Sequence, residues 1–252
     1  IYKREVNPLI VDNGKPLDGE ALKLCTFKIG REVRGRKLGE RFLYTAFKYA
    51  NENKIRYVYL HTFGAEQEML VSLCEDFGFK FAGTYAGRDE VYVKDMTEPH
   101  SIHSDLAPLN YAIDFYPNFL DGEEIDKFIV PIKPEYHNDL FADISDTAEG
   151  LFANDPSMYS PQSNTIKKAY ICHANTKMIK PGSLLLFYRT HDRMSIECIG
   201  IVEQTYRGKD LDKVLPLVSK RTVYSRSEVE TFLEKETLVI LFRFFWFRRT
   251  IL

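Results

Sequence analysis

The sequence has few of the features that mark a metalloprotein, a disulfide-stapled domain or a membrane protein. Its four cysteines lie far apart and form no C-x-x-C pair, which excludes a zinc ribbon and gives no disulfide framework. We therefore predict no metal site and a reduced, cytoplasmic protein. No apolar run reaches the length of a membrane span, because Arg243 interrupts the candidate at residues 238–247. The four cysteines are Cys25, Cys74, Cys172 and Cys198.

The chain also lacks a large net charge. Its 34 basic and 36 acidic residues leave a net charge of −2, which excludes polyanion binding through overall charge. The charge is uneven, however, because residues 23–56 hold ten Lys or Arg and three acidic residues, a local net charge of +7. Such a segment suits a phosphate-bearing ligand, and a solvated helix face would have the same composition, so charge alone leaves both interpretations open.

Residues 20–97 alternate between strand-like and helix-like patterns. The order predicts a mixed sheet with helices packed on it. Residues 1–11 are a candidate preceding strand, and Gly78 is placed to end the second helix. Strands are predicted at 20–29, 55–61, 79–85 and 90–94, with one helix after a basic loop at 30–39 and another at 66–77.

The second half of the chain has a different sequence pattern, a linker followed by short strand-like segments. Three prolines between 98 and 120 predict a linker there. Beyond it we expect a β-rich barrel over residues 121–252, with one short helix at 228–233. The whole chain is therefore expected to be an α+β protein of two domains. The second-half strands are predicted at 128–132, 166–173, 183–188, 196–204 and 238–247.

The loop that precedes the first helix has the chemistry of a phosphate site. A helix N-terminus leaves several backbone N–H groups unpaired and carries partial positive charge, so a loop wrapped there can hold a pyrophosphate. Glycine permits close backbone approach. An ordinary strand–helix turn with surface charge is the alternative. The candidate contacts are Arg34, Gly35, Arg36, Lys37 and Gly39.

Two motifs in this region resemble those of GNAT-type N-acyltransferases. The family carries Arg or Gln, two residues, Gly, one residue, then Gly or Ala; Arg34 and Gly39 match the two ends, and Lys37 replaces the middle glycine. The family's later Leu-Tyr-Glu-x-x-Gly-Phe resembles residues 73–79, with Cys74 in place of tyrosine. The resemblance covers most of residues 20–97, the acetyl-CoA-binding part of a GNAT domain, and predicts a domain at 1–97 without the family's first strand and first two helices.

The resemblance implies an N-acetyltransferase that uses acetyl-CoA as co-substrate. In the family the cofactor lies in a splay between the fourth and fifth strands, and an amine attacks it directly while a general base accepts the amine proton. The loop would bind the pyrophosphate, and backbone at 27–29 would hold the thioester carbonyl. The implied cofactor-binding residues are Phe27, Lys28, Ile29, Arg34, Gly35, Arg36, Lys37, Leu38, Gly39, Glu40 and Gln67.

Candidate catalytic residues follow from the same resemblance. Cys74 stands where many members have a tyrosine that protonates the departing thiolate, although a helix cysteine is more often a small buried apolar residue. Glu66 and His61 are candidate bases, with Glu68 beside them. The two glutamates are equally well explained by a helix dipole, and His61 by half-burial at a strand end.

A second, shorter resemblance lies in the β-rich half. Residues 180–189 and 196–203 are similar to the opening of the PUA-like superfamily, which includes the ASCH and EVE domains, with Ser183 in place of the usual aspartate. The resemblance implies RNA binding through Tyr188, Arg189 and Arg193. Residues 99–252 carry 18 basic and 21 acidic residues, so any such surface is a local patch. The alternative is that the tyrosines simply cover the barrel ends.

The sequence thus predicts an acetyl-CoA-dependent N-acetyltransferase with an appended RNA-binding PUA-like domain. A non-catalytic RNA-binding protein with a degenerate, CoA-binding GNAT half is the alternative. The expected partners are acetyl-CoA, RNA and an amine acceptor whose identity stays open, with a homodimer as the candidate assembly.

Overall fold

The computed structural model describes residues 2–25, 37–63, 67–97, 105–141, 165–219 and 221–245. The chain divides into two compact units, Ile1–Phe119 and Leu120–Leu252. Each unit combines one mixed five-stranded sheet with helices, which confirms the α+β class.

The first unit is built on a sheet with the order β1-β2-β3-β5-β4. Its β2 and β3 are parallel, and the other neighbours are antiparallel. The strands are β1 (Tyr2–Val6), β2 (Glu20–Leu24), β3 (Tyr57–Thr62), β4 (Lys80–Tyr85) and β5 (Asp89–Asp95), and the helices are α1 (Leu38–Glu52), α2 (Glu68–Asp76) and α3 (Pro108–Asp114).

One face of this sheet is covered by helices. The apolar stripe of α1 includes Phe47, whose ring lies 5.9 Å from Phe79 and 6.0 Å from Tyr116. Lys94 is fully buried on the same face, where its ammonium donates to the carbonyls of Ile113 and Asp114 at 2.9 and 2.8 Å. These bonds satisfy the buried charge and fasten the end of α3 to the sheet.

The opposite face is crossed by residues 7–19, here called the strap. Ile10 of the strap packs on Ala21, Tyr59 and Val91. At its far point the Asp12 carboxylate accepts bonds from the N–H groups of Ala86 and Gly87 at 3.1 and 2.8 Å. The strap therefore runs from β1 to the β4–β5 turn and back to β2, and the strand considered over residues 1–11 ends at Val6.

The second unit has a sheet with the order β6-β8-β9-β10-β7, in which only β6 and β8 are parallel. Phe141, Phe187, Phe242 and Phe244 form an aromatic core on one face, with neighbouring ring centroids 4.9–6.3 Å apart. The strands are β6 (Lys127–Ile132), β7 (Lys167–Cys172), β8 (Leu184–Arg189), β9 (Ser195–Gly208) and β10 (Thr237–Phe245), and the helices are α4 (Pro134–Leu140), α5 (Leu211–Val218) and α6 (Arg226–Phe232).

The predicted closed barrel is wrong for the described residues of this unit. Its sheet is open, with β6 and β7 at the two edges. Pro131 in β6 has no N–H to donate to a further strand, and the outer edge of β7 uses the N–H of Ala169 on the carbonyl of Arg221. A side-chain bond from the Tyr170 hydroxyl to the Pro131 carbonyl, at 3.3 Å, links the two edge strands.

The interval predicted as a linker, 98–120, contains α3 and the buried side chains of Tyr111 and Tyr116, which belong to the first unit. Sequence patterns predicted no helix at α3, α4 or α5, although Asp210 is a recognisable cap whose carboxylate accepts from the first turn of α5. Among the described residues, no helix is both long and apolar enough to cross a membrane.

Candidate functional site

The described parallel pairing of β2 and β3 stops before the end of β3, and the interval beside the end of β3 is here called the gap; residues 26–36, which follow β2, lie outside the described residues. β2 and β3 pair over three positions only, from Ala21 with Tyr57 to Lys23 with Tyr59. Beyond them β2 ends at Leu24, while β3 continues to Thr62 and still pairs with β5. The last three residues of β3 therefore have no β2 partner in the described part of the chain.

Helix α1 begins at the same edge of the sheet. In a β–α–β crossover the helix N-terminus lies at the carboxyl ends of the parallel strands, where anions bind. The helix starts at Leu38, and buried Gly39 and Glu40 form its first turn. Four of the predicted cofactor residues, Lys37 to Glu40, thus lie at this helix end.

Of the remaining predicted cofactor residues, the structure describes Gln67 alone. Gln67 stands at the N-cap position of α2, and its side-chain oxygen accepts a bond from the hydroxyl of Thr62, the last residue of β3, at 2.9 Å. The others lie outside the described residues: Phe27, Lys28, Ile29, Arg34, Gly35 and Arg36.

Lys37, which stands where the family has glycine, adopts the conformation that glycine supplies. Its backbone is left-handed, with φ 56° and ψ 21°. A side chain in this region costs about 1–2 kcal/mol relative to the usual helical region. The chain therefore retains the turn at the start of α1 at the expense of local strain.

Replacing Lys37 with glycine is expected to raise the free energy of unfolding by about 0.5–1 kcal/mol, because the strain is relieved and only part of the gain is lost to unfolded-state entropy. The matched control is Lys48→Gly inside α1, which should lower stability by about 1 kcal/mol. Urea unfolding followed by circular dichroism checks both. A Lys37→Gly variant as destabilised as Lys48→Gly contradicts the argument.

His61 lies on β3 beside the gap. Its ring centroid is 5.7 Å from that of Tyr59 and 4.9 Å from that of Tyr85. Its Nε2 is shielded from solvent and has no hydrogen-bond partner. Burial, and then the charge of Lys23, lower the pKa of this imidazole, so the neutral form is favoured at neutral pH.

Next to it, the Tyr59 hydroxyl donates to the Glu5 carboxylate, and this bond is the main reason why the pKa of Glu5 is lowered. Burial raises the pKa of the Tyr59 phenol, which is therefore a poor proton donor. Lys23 lies over the same ring, 5.7 Å from its centroid.

Of the other candidate catalytic residues, the structure describes Cys74 and Glu68. Cys74 is fully buried, and burial raises the pKa of its thiol to about 12, which favours a packing role over proton donation. Glu66 lies outside the described residues, and Glu68 is exposed in the first turn of α2.

In the second unit, Arg189 is committed to contacts within the protein. Its side chain is 8% exposed and its Nη2 donates to the Asp192 carboxylate at 2.6 Å. Its Nη1 donates to the Asn138 amide oxygen at 2.7 Å and to His137 Nδ1 at 3.2 Å. This guanidinium therefore joins the loop after β8 to α4 and has little freedom to bind a phosphate. The partners on α4 were not foreseen, because no helix was predicted there.

The other two predicted RNA contacts, Arg193 and Tyr188, are each partly exposed. Arg193 donates to the Glu197 carboxylate at 2.8 Å and keeps 23% of its side chain exposed. Tyr188 is half-buried on β8.

The tautomer of His137 follows from its bond to Arg189, because an arginine side chain can donate hydrogen bonds but cannot accept them. Its Nδ1 accepts from Arg189, so the proton is on Nε2, which is buried without a partner. Burial, reinforced by the Arg189 charge, lowers the pKa of His137 to about 4.

The lowered pKa of His137 predicts that the folded protein loses stability in acid. The unfolded state takes up the proton near the ordinary value of 6.5 and the folded state only near 4, so stability is lost as pH falls through that window, by about 3 kcal/mol. His137→Asn keeps an acceptor for Arg189 and should flatten this part of the profile. His191→Asn is the control, and urea unfolding at a series of pH values is the measurement. An equally steep profile in His137→Asn contradicts the assignment.

No known family model matches the chain, and no curated protein matches it. Solved structures of ASCH from Zymomonas mobilis align with a TM-score of 0.33 at 10% identity, covering 47% of this chain and 67% of that one. A serine-to-alanine variant of the same protein aligns at 12% identity with a TM-score of 0.31 and the same coverage. A tyrosine-to-phenylalanine variant aligns at 9% identity with a TM-score of 0.32, covering 47% of this chain and 69% of that one. At these scores the alignments do not establish a shared fold.

Within the described residues, no three His, Cys, Asp or Glu side chains are close enough to hold a metal ion.

Proposed function

We propose that the first unit binds acetyl-CoA in the gap between β2 and β3 and transfers the acetyl group to an amine. The observation that carries the proposal is the parallel pair that stops after Lys23 and Tyr59, with a helix starting at the same sheet edge. This arrangement supports the splay that the GNAT resemblance implies, whereas most of the predicted phosphate loop, residues 30–36, lies outside the described residues.

The gap offers two kinds of contact to such a ligand. Amides of a pantetheine arm are able to hydrogen-bond to strand backbone that lacks a neighbour, as an added strand does. The pyrophosphate suits the N–H groups and dipole of the first turn of α1, which includes Gly39. The C–N bond then forms as the C–S bond breaks, and the protein contributes mainly by positioning the amine.

The buried position of Cys74 also supports the alternative function, CoA binding without catalysis. If Cys74 packs in the core rather than protonating the thiolate, a unit that binds CoA but does not catalyse transfer fits the same gap. Binding of CoA without release of its thiol from acetyl-CoA in the presence of amines identifies this alternative.

Gly39→Val is expected to abolish CoA binding, because a branched side chain would occupy the space of the pyrophosphate at the helix start. Thr45→Val, on the exposed side of the same helix, should leave affinity unchanged. Isothermal titration calorimetry with CoA measures both, and melting temperatures show that each variant is folded. Wild-type affinity in folded Gly39→Val overturns the proposed site.

For the second unit we propose RNA binding through Tyr188 and Arg193, without Arg189. The support is the PUA-like sequence resemblance together with the partial exposure of Tyr188 and Arg193. Stacking on a tyrosine contributes about 1–3 kcal/mol per base, and each phosphate contact adds to the salt dependence.

The two arginines provide a matched test of this proposal. Arg193→Ala should weaken binding of a labelled single-stranded RNA and lower the salt slope by about one, as measured by fluorescence anisotropy. Arg189→Ala should instead lower the free energy of unfolding by about 2–3 kcal/mol, since it leaves Asp192 and the α4 groups unpaired. RNA binding that depends on Arg189 and not on Arg193, or no salt-sensitive binding at all, contradicts the proposal.

A further inference from the structure

Arg189 joins helix α4 to residues 190–194, here called the β8–β9 turn. Its Nε and Nη2 donate to the Asp192 carboxylate of the turn at 2.6–3.0 Å. On its other side, Nη1 donates to Asn138 at 2.7 Å and to His137 Nδ1 at 3.2 Å, and both acceptors belong to α4. The arginine side chain is 8% exposed, so the turn and the helix are joined through a guanidinium that solvent hardly reaches.

The β8–β9 turn contains strained backbone at two positions. His191 and Met194 are left-handed, with φ 68° and 49°, a conformation that costs free energy for any residue with a side chain. The Asp192 carboxylate, which Arg189 orients, also accepts the Arg193 N–H at 2.7 Å. Release of Arg189 therefore removes a contact that holds the turn in this shape and lets the strain relax.

His137 is the member of this connection that a proton can disconnect. Its Nδ1 accepts from Arg189, and its Nε2 makes no hydrogen bond within the described residues. A proton on Nδ1 occupies the lone pair that accepts this bond and places a second positive charge beside the guanidinium. The histidine is 1% exposed, so water reaches the imidazolium only if the structure opens around it.

The charges around this imidazole come from each element packed against it. β8 contributes Arg189, the β8–β9 turn contributes Asp192 and Arg193, and β9 contributes Glu197. Burial, and then Arg189, lower the pKa of His137 to about 4, and the two carboxylates offset this only in part. In an opened turn the ring regains its ordinary value of 6.5, so acid favours opening by about tenfold per pH unit and about 300-fold over the window.

We propose that His137 and Arg189 form an acid-operated latch, which holds the β8–β9 turn against α4 and releases it when Nδ1 takes up a proton from solvent. The opening is local, because it separates the turn from the helix and leaves the paired strands of the sheet in place. One consequence rests on the proposed RNA function of the second unit. Since Arg193 lies on the turn, RNA that binds the closed turn also stabilises the latch.

Exchange of the Arg189 Nε–H with solvent reports the latch, and the Val202 amide, bonded to Ser183 within the sheet, reports global unfolding. NMR of the full chain between neutral pH and about pH 4 follows both, after correction for intrinsic exchange. We expect the Arg189 opening constant to rise about tenfold per pH unit below 6.5 and to be insensitive to low urea. Exchange at Val202 should accelerate with urea.

Variants identify the proton acceptor. His137→Asn keeps an acceptor for Arg189 and should remove the pH dependence of opening, whereas His191→Asn, in the exposed turn, should retain it. Arg189 exchange with the urea dependence of Val202 overturns the local latch. Wild-type pH dependence in His137→Asn overturns the role of His137, and if this variant does not fold, a His137 transition at or above 6.5 in the wild type does so instead.

A single-stranded oligouridine, whose bases do not titrate in this range, separates the latch from the proposed function. Bound oligouridine should slow the exchange of the Arg189 Nε–H. Binding without such slowing contradicts the coupling of the latch to RNA. Absence of binding overturns the proposed RNA function, and the exchange data then decide the latch by themselves.

Discussion

The short parallel pairing of β2 with β3 is the contact on which the rest of the first unit depends. Parallel strands need a crossover, and here the crossover is α1, whose apolar stripe packs on β3 and places its N-terminus at the carboxyl ends of both strands. Because the pairing ends after three positions, the end of β3 has no β2 neighbour within the described residues. The cofactor proposal follows from this one interruption.

The strap provides the second constraint. A sheet with helices on one face must also cover the apolar residues on its other face, and residues 7–19 do so with Ile10, Val11 and Leu17. Asp12 secures the strap at the β4–β5 turn through two backbone N–H groups. His61 lies on this strap-covered face but is half-buried, which explains how its ring is at once shielded at Nε2 and adjacent to exposed Tyr85.

Much of the first unit could be predicted because its local patterns and its packing agree. Alternation and helical spacing located β2 to β5, α1 and α2 within a few residues, and Gly78, with φ 80°, ends α2 as expected. The left-handed backbone of Lys37 could not be read from its side chain, since only the glycine of the resembling motif hinted at it. The strap escaped prediction because irregular backbone has no period.

The second unit was harder to predict for physical reasons that particular residues illustrate. Apolar strands predict a buried sheet but not whether it closes, and closure here fails at Pro131 and at the β7 edge. Arg189 looked like a surface cation because its partners, His137 and Asn138, lie about fifty positions earlier in the sequence. Charge patterns show which groups are present, whereas long-range contacts decide which of them remain available.

The central claim is that the β2–β3 gap is the CoA site, and backbone amide NMR with added CoA tests it most directly. The account predicts concentration-dependent shifts that concentrate at Lys23–Cys25, at Leu60–Thr62 and at Lys37–Glu40, with the second unit unchanged. Shifts confined to the second unit, or none at saturating CoA, would contradict it.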